Sequence, residues 1–262
     1  MFSNIIFKVN DGVANITLNR PDAMNALNYE IIAELTEVLK ICQRDETVRA
    51  LVIAGAGKAF CAGGDVKWML SARDENWKSA FDSLVDNFNK VILLIRDIEK
   101  PVIAAVNGFA SGAGFSLAMA CDIRIISDKA KFNQAYVNLG LTPDGGSTYF
   151  LTLMLGAARV MDLVFTGRVI DAKEALSLGL ASELIPAESF AERVEQWARQ
   201  FAGGPSIAFK QAKTLINEAH RRTLEAQLDL ERESIVGASL SNDFEEGLKA
   251  FSQKRKPVFK GN

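Results

Sequence analysis

Pro101-Val102-Ile103-Ala104-Ala105-Val106 runs straight into Asn107-Gly108-Phe109-Ala110-Ser111-Gly112-Ala113-Gly114. Small and β-branched apolar residues behind a proline predict a strand buried on both faces. The glycines demand a turn, and a helix is predicted to begin near their end. The same order occurs upstream. Ala50-Leu51-Val52-Ile53-Ala54 reads as a buried strand ended by Gly55-Ala56-Gly57, with a loop carrying Phe60-Cys61-Ala62-Gly63-Gly64-Asp65. Ile123-Arg124-Ile125-Ile126 reads as a third strand. Strands alternating with helices imply an α/β fold with a mostly parallel sheet packed by helices.

Outward from this centre, Ile5–Val9 and Val13–Leu18 flank Asn10-Asp11-Gly12, a hairpin signal. Ile31, Ile32, Leu35, Val38, Leu39 and Cys42 recur at helical spacing behind Asn28, a suitable cap. A long charged helix is predicted from Asn76 to Ile98. After Thr142-Pro143-Asp144-Gly145-Gly146 the pattern turns mainly helical, with helices near 147–155, 157–165, 172–178, 190–201, 207–219 and 223–238. Gly203-Gly204-Pro205 marks a soft boundary, giving a core over 1–203 and a C-terminal helical region over 204–262.

Composition removes several function classes. Thirty basic against 32 acidic residues leave a net charge of −2, which disfavours a nucleic-acid binder. The single histidine, His220, excludes a multi-histidine metal site, so no metal is expected. Cys42, Cys61 and Cys121 form no CxxC pair or disulfide framework, and no secretory signal is visible at the start. A cytoplasmic protein with no membrane span is the expectation.

The two glycine-rich turns bring backbone N–H groups close to whatever lies beside them. Two such donors aimed at one point make an oxyanion hole, and a helix starting at the second adds its free N–H groups. Tight packing of strand on helix also explains such turns. Neither is a nucleotide loop: Gly57-Lys58 is followed by Ala59, and Leu117 stands where the dinucleotide fingerprint needs a small residue.

Taken in order, Leu18-Asn19-Arg20-Pro21, Asn25-Ala26-Leu27, Phe60–Asp65, Lys100–Gly108, Ala120–Arg124, Leu139–Gly146 and Lys254-Arg255-Lys256 resemble the crotonase (enoyl-CoA hydratase/isomerase) superfamily over nearly the whole chain. The resemblance implies a crotonase-like spiral of ββα units with a C-terminal helical trimerisation region, a trimer or dimer of trimers, and an acyl-CoA substrate with no separate cofactor. By position it makes the amides of Gly64 and Ala113 the oxyanion hole. Ala23, Ala26, Ala62, Asp65, Lys67, Ser116, Tyr136 and Lys256 become substrate or CoA contacts. Asp65 and Asp122 also read as partners of arginine or backbone groups, and Lys256 as part of a solvated charged end.

Hydratases of this family use two glutamates, and the chain carries Ser116 and Tyr136 at those positions, which argues against ordinary hydration. Asp144 is the remaining acid. On its own it reads as a helix N-cap. The resemblance makes it the single acid/base of an isomerase, because moving a double bond by one carbon needs one group to remove and return a proton. A CoA-binding or weakly hydrating homologue is one alternative. An aspartate-nucleophile hydrolase or dehalogenase is another, although it also requires a histidine base. Cys61 reads as a small buried filler and His220 as a surface or interface residue.

Overall fold

The computed structural model describes residues 2–262. The hairpin forms from β1 (Ile5–Asn10) and β2 (Val13–Leu18). Asp11 and Gly12 both adopt positive φ, as a two-residue turn of this twist requires. Helix α1 (Tyr29–Arg44) buries every apolar position of the expected stripe, and the Asn28 side chain accepts from the Ile31 N–H. Next come β3 (Ala50–Gly55), β4 (Ala59–Cys61), α2 (Val66–Ser71) and α3 (Trp77–Asp97). The central stretch gives β5 (Val102–Val106), β6 (Phe109–Ser111), α4 (Ala113–Ala120), β7 (Ile123–Ser127) and β8 (Lys131–Asn133). The remainder is α5 (Ser147–Leu155), α6 (Ala157–Thr166), β9 (Ile170–Asp171), α7 (Ala172–Ser177), β10 (Glu183–Ile185), α8 (Phe190–Ala202), α9 (Ser206–Glu218), α10 (Leu224–Ala238) and α11 (Asn242–Ser252).

Two sheets result. One has the order β1-β2-β3-β5-β7-β10, the other β4-β6-β8-β9. Beyond the β1–β2 hairpin, every pairing in the first sheet is parallel. Each of β3, β5 and β7 is followed at once by a short strand of the second sheet, so the expected spiral of ββα units is present. The short strands β4 and β6 lie in stretches whose sequence reads as loop, because three residues carry too little pattern to show a period of two. Helix α2 and α11 were likewise not expected from the pattern.

Alternate residues of the central strands face opposite layers. Leu51, Ile53, Val102, Ala104 and Val106 pack in the cluster that holds α1 and α3. Ala50, Val52, Ile103, Ala105 and Ile125 pack against Val194, Ala198 and Ala202 of α8. All eight residues of α4 are buried, which suits a helix that is apolar all round. At the expected boundary, Gly203–Pro205 links α8 to α9. Across it the Lys213 ammonium donates to Ile95 O, Lys100 O and Asp122 Oδ2, and the Arg49 guanidinium to Gly204 O and Phe259 O. Among the described residues no helix is long and apolar enough to cross a membrane.

The segment before α1 is a brace for the loop after β4. Asn25 is fully buried with φ 57. Its Nδ2 donates to Ala56 O (2.9 Å) and Ala59 O (2.8 Å), while Oδ1 accepts from the Arg20 N–H (2.9 Å). Arg20 in turn reaches Asp65 at 2.8 Å. We expect Asn25→Ala to cost about 2–4 kcal/mol, because it orphans buried backbone groups and leaves a left-handed residue with no local support. Urea unfolding measures this directly; a loss below about 1 kcal/mol would contradict the bracing role.

Candidate active site

The loops after β4 and β6 meet side by side. A Cβ on Gly63 (φ 95) would stand 2.7 Å from Ser111 O and 3.4 Å from Ala113 N, so the approach requires glycine. A Cβ on Gly114 would fall 2.0 Å from Cys61 O, which presses the start of α4 onto β4. Gly112, at φ 49, turns the chain into α4. Ala113 is the first residue of that helix, where an N–H has no intrahelical partner.

The Gly64 amide is left free in a different way. Leu27 N donates to Gly63 O (2.7 Å) and Asp65 N to Leu27 O (2.9 Å). These bonds fix the backbone on both sides of the Gly64 N–H, which donates to no group among the described residues. Two unspent amides, of Gly64 and Ala113, therefore belong to the wall of one cavity of about 460 Å³.

Opposite in character is the wall supplied by α3. Phe81, Leu84, Val85 and Phe88 line the cavity at helical spacing. Sequence reasoning missed them, since such a stripe is the same signal that a core-facing helix gives. Phe88 also fixes the path of the chain before α5. A Cβ on Gly145 (φ 57) would meet Phe88 Cε1 at 2.3 Å, so only glycine lets the chain run this close.

Asp144 precedes that glycine and lines the cavity. It is not the cap of α5. Gly146 occupies the N-cap position with no side-chain hydrogen bond, so the capping reading of Asp144 is corrected. Its Oδ1 instead accepts from the Tyr136 hydroxyl at 2.7 Å. Ser116, fully buried on α4, places Oγ 2.9 Å from the Tyr136 hydroxyl and 3.0 Å from Asp144 O. Burial pushes the Asp144 carboxyl above its ordinary range, partly offset by the Tyr136 hydrogen bond. Burial, then the Asp144 charge, pushes the Tyr136 phenol well above its own. Among the described residues Asp144 is the one charged side chain on the lining.

Of the other residues singled out in the sequence, Ala62 and Tyr136 line the cavity and Ser116 stands directly behind Tyr136. Ala23, Ala26, Asp65, Lys67 and Lys256 lie off the lining. Asp65 is engaged elsewhere: it pairs with Arg20 and accepts from Lys67 N and Trp68 N at the start of α2. This matches its reading as an arginine and backbone partner and leaves no free carboxylate for a substrate. Asp122 likewise serves Lys213 and Val102 N. Lys67 and Lys256 are exposed. Cys61 is buried, and burial pushes its thiol to about 12, so it is held as an inert thiol.

A second cleft of about 440 Å³ lies between α5 and α9. It holds His220, which contacts the Tyr149 hydroxyl. Its charged groups Arg96, Asp122, Arg124 and Lys213 are already bonded to one another or to backbone carbonyls. The first cavity, with its unspent donors and raised carboxyl, is the site with chemistry to offer.

Known proteins share this architecture. The enoyl-CoA hydratase/isomerase family profile matches residues 8–262. The 1,2-epoxyphenylacetyl-CoA isomerase of Escherichia coli is 40% identical over 100% of both chains. A trans-2-decenoyl-[acyl-carrier-protein] isomerase of Streptococcus mutans is 33% identical over 99% of each. The mitochondrial enoyl-CoA hydratase of Pongo abelii is 40% identical over 96% of this chain and 84% of its own. Among solved structures, the enoyl-CoA hydratase of Bacillus anthracis superposes with a TM-score of 0.94 at 32% identity, covering 99% of this chain and 100% of the other.

A raised carboxyl makes a stability prediction. Below its unfolded value near 3.8, Asp144 is protonated in both states and costs nothing. As pH rises, the unfolded chain ionises first, so the native state loses stability up to the folded pKa and stays lower beyond it. Asp144→Asn removes that penalty. We expect the variant to melt higher than the wild type at pH 7 and equally below about pH 3.8; calorimetry across this range checks it, and a lower melting point at pH 7 contradicts it.

Proposed function

The chain belongs to the enoyl-CoA hydratase/isomerase family, and within it we propose that this protein is an acyl-CoA isomerase that shifts a double bond through an enolate. One observation carries the reading: the cavity offers a single carboxylate, backed by Tyr136 and Ser116, in an otherwise uncharged wall. Two of the relatives are isomerases, and others are hydratases, so the names alone do not choose.

In this mechanism the thioester carbonyl oxygen lies between the Gly64 and Ala113 amides. Asp144 takes a proton from the α-carbon. The electrons of that C–H bond become the new carbon–carbon π bond as charge moves onto the oxygen. The enolate then collapses, the π system relocates, and the protonated Asp144, whose proton exchanges with solvent, delivers a proton to the γ-carbon. Each preorganised donor is typically worth about 2.7–4 kcal/mol in such a step. A carboxylate raised by burial is a stronger base than one in water, which suits both proton transfers.

The remaining parts of the reading follow the same substrate. The chain supplies the acid/base and the carbonyl donors, with coenzyme A as part of the substrate and no added cofactor. Lys67 and Lys256, exposed and in no ion pair among the described residues, suit the phosphates at the nucleotide end. Leu224, Leu228, Ile235 and Val236 of α10 are exposed, which suits self-association of the C-terminal helices as a trimer or dimer of trimers in the cytoplasm. The aspartate-nucleophile alternative loses ground because His220 lies in the second cleft.

Asp144→Asn keeps the shape and removes the base. Isomerisation of a 3-enoyl-CoA should fall by roughly 10²–10⁴, the usual worth of a positioned base. In deuterated water the wild type should exchange the substrate's α-proton and the variant should not. Hydration of crotonyl-CoA by the wild type should stay far below the ~10 per second of an ordinary enzyme. Fast hydration, or a fully active variant, would sink the assignment.

A further inference from the structure

Tyr136 and Ser116 stand in a chain of hydroxyls that ends on the base, and a count of protons fixes its direction. An ionised carboxylate only accepts, so the single Tyr136 hydroxyl proton goes to Asp144 Oδ1 at 2.7 Å. The Tyr136 oxygen keeps its lone pairs for a donor behind it. Ser116 Oγ is 2.9 Å away, within a nest of acceptors that also includes Gly112 O at 3.2 Å and Asp144 O at 3.0 Å. The one Ser116 hydroxyl proton is shared among three acceptors: Gly112 O of the loop before α4, the Tyr136 oxygen and the backbone carbonyl of Asp144. Hydrogen bonds in such a series strengthen one another in a buried setting. Asp144 Oδ2 has no partner among the described residues.

The ring of Tyr136 also occupies space. A Cβ on Gly112 would lie 3.7–3.8 Å from three of its ring atoms, so the ring rests against the loop that leads to the Ala113 amide. Tyr136 is 8% exposed. It therefore fills the corner between the base and the carbonyl donors. Adding water to a double bond needs room for the water and a second polar group to hold it. Here the corner is filled by a ring, and the hydroxyl that would hold water is already committed to Asp144.

We propose that Tyr136, backed by Ser116, is a positioning residue that clamps one oxygen of Asp144, leaves the other as the proton-transfer atom, and closes the site to attacking water. This rests on the isomerase reading and goes beyond it by assigning how the reaction is kept from becoming hydration. The groups facing Asp144 are few. Helix α3 presents Phe88, α4 presents Ser116, and the turn over 135–139 presents Tyr136; among the described residues no other titratable or charged group lines the cavity.

The test is Tyr136→Phe, which keeps the ring and removes the clamp. Carboxyl carbon NMR of the free enzyme should show Asp144 titrating at higher pH than in the wild type, since the lost bond favoured the ionised form. The acid limb of the kcat profile should move up with it. With substrate, kcat should fall roughly 10-fold while KM stays within about 3-fold, the pattern of a base that is present but no longer aimed. Tyr136→Ala, which empties the corner, should raise hydrated product relative to isomerised product. If Tyr136→Phe does not fold, Ser116→Ala carries the same measurements with the same signs and smaller size. An unmoved Asp144 titration, or equal losses in kcat and KM, overturns the proposal. Absence of 3-enoyl-CoA isomerisation by the wild type, with or without the shift, instead overturns the isomerase reading beneath it.

Discussion

The structure depends on one steric constraint: main chain meets main chain where a side chain would stand. At Gly114 a Cβ would lie 2.0 Å from Cys61 O, and at Gly108 one would lie 2.0 Å from Lys58 O. Each contact seats a β5–β6–α4 segment against its β3–β4 predecessor. Because the units register through backbone, the loops that end them arrive at one place with their amides still unspent. The fully buried α4 then locks this arrangement, since its surroundings are apolar on every side.

The chemistry is built from two materials of unequal cost. The amides of Gly64 and Ala113 come from the fold itself. Asp144 is expensive, because its carboxylate is buried on the wall of a cavity that Phe88 and Leu84 also line, with one hydroxyl to stabilise its charge. That imbalance raises its basicity, which is what the proposed reaction asks of it. The brace of Asn25, Arg20 and Asp65 lies outside the cavity, yet it holds the strand-like pairing of Leu27 with Gly64 that leaves one donor free.

Much of this is legible in the sequence, for physical reasons. Long buried strands and the α1 stripe announce themselves by period, and the paired glycine turns announce close backbone approach. Short strands such as β4 and β6 do not, because their identity is set by neighbours in space. Asp144 illustrates the other limit. Its position before Gly145-Gly146 looks like a helix cap, and only the three-dimensional path shows the carboxylate turned to Tyr136 while Gly146 takes the cap position. The cavity wall of Phe81, Leu84, Val85 and Phe88 sits on a helix legible only as long and charged, and an apolar stripe on such a helix does not say whether it faces a core or a void. Asp65 shows the reverse case, where an acid beside the donor loop proves to be its anchor.

The two donors proposed to hold the thioester carbonyl are main-chain amides, and this has an evolutionary consequence. No substitution other than proline deletes an amide N–H, so the proposed capacity to hold a thioester oxygen is robust to most point changes that preserve the glycine contacts. The groups at 116, 136 and 144 have no such protection. A lineage built on this scaffold can therefore drift from one reaction to another by exchanging three side chains, while the handle by which it grips its substrates stays fixed.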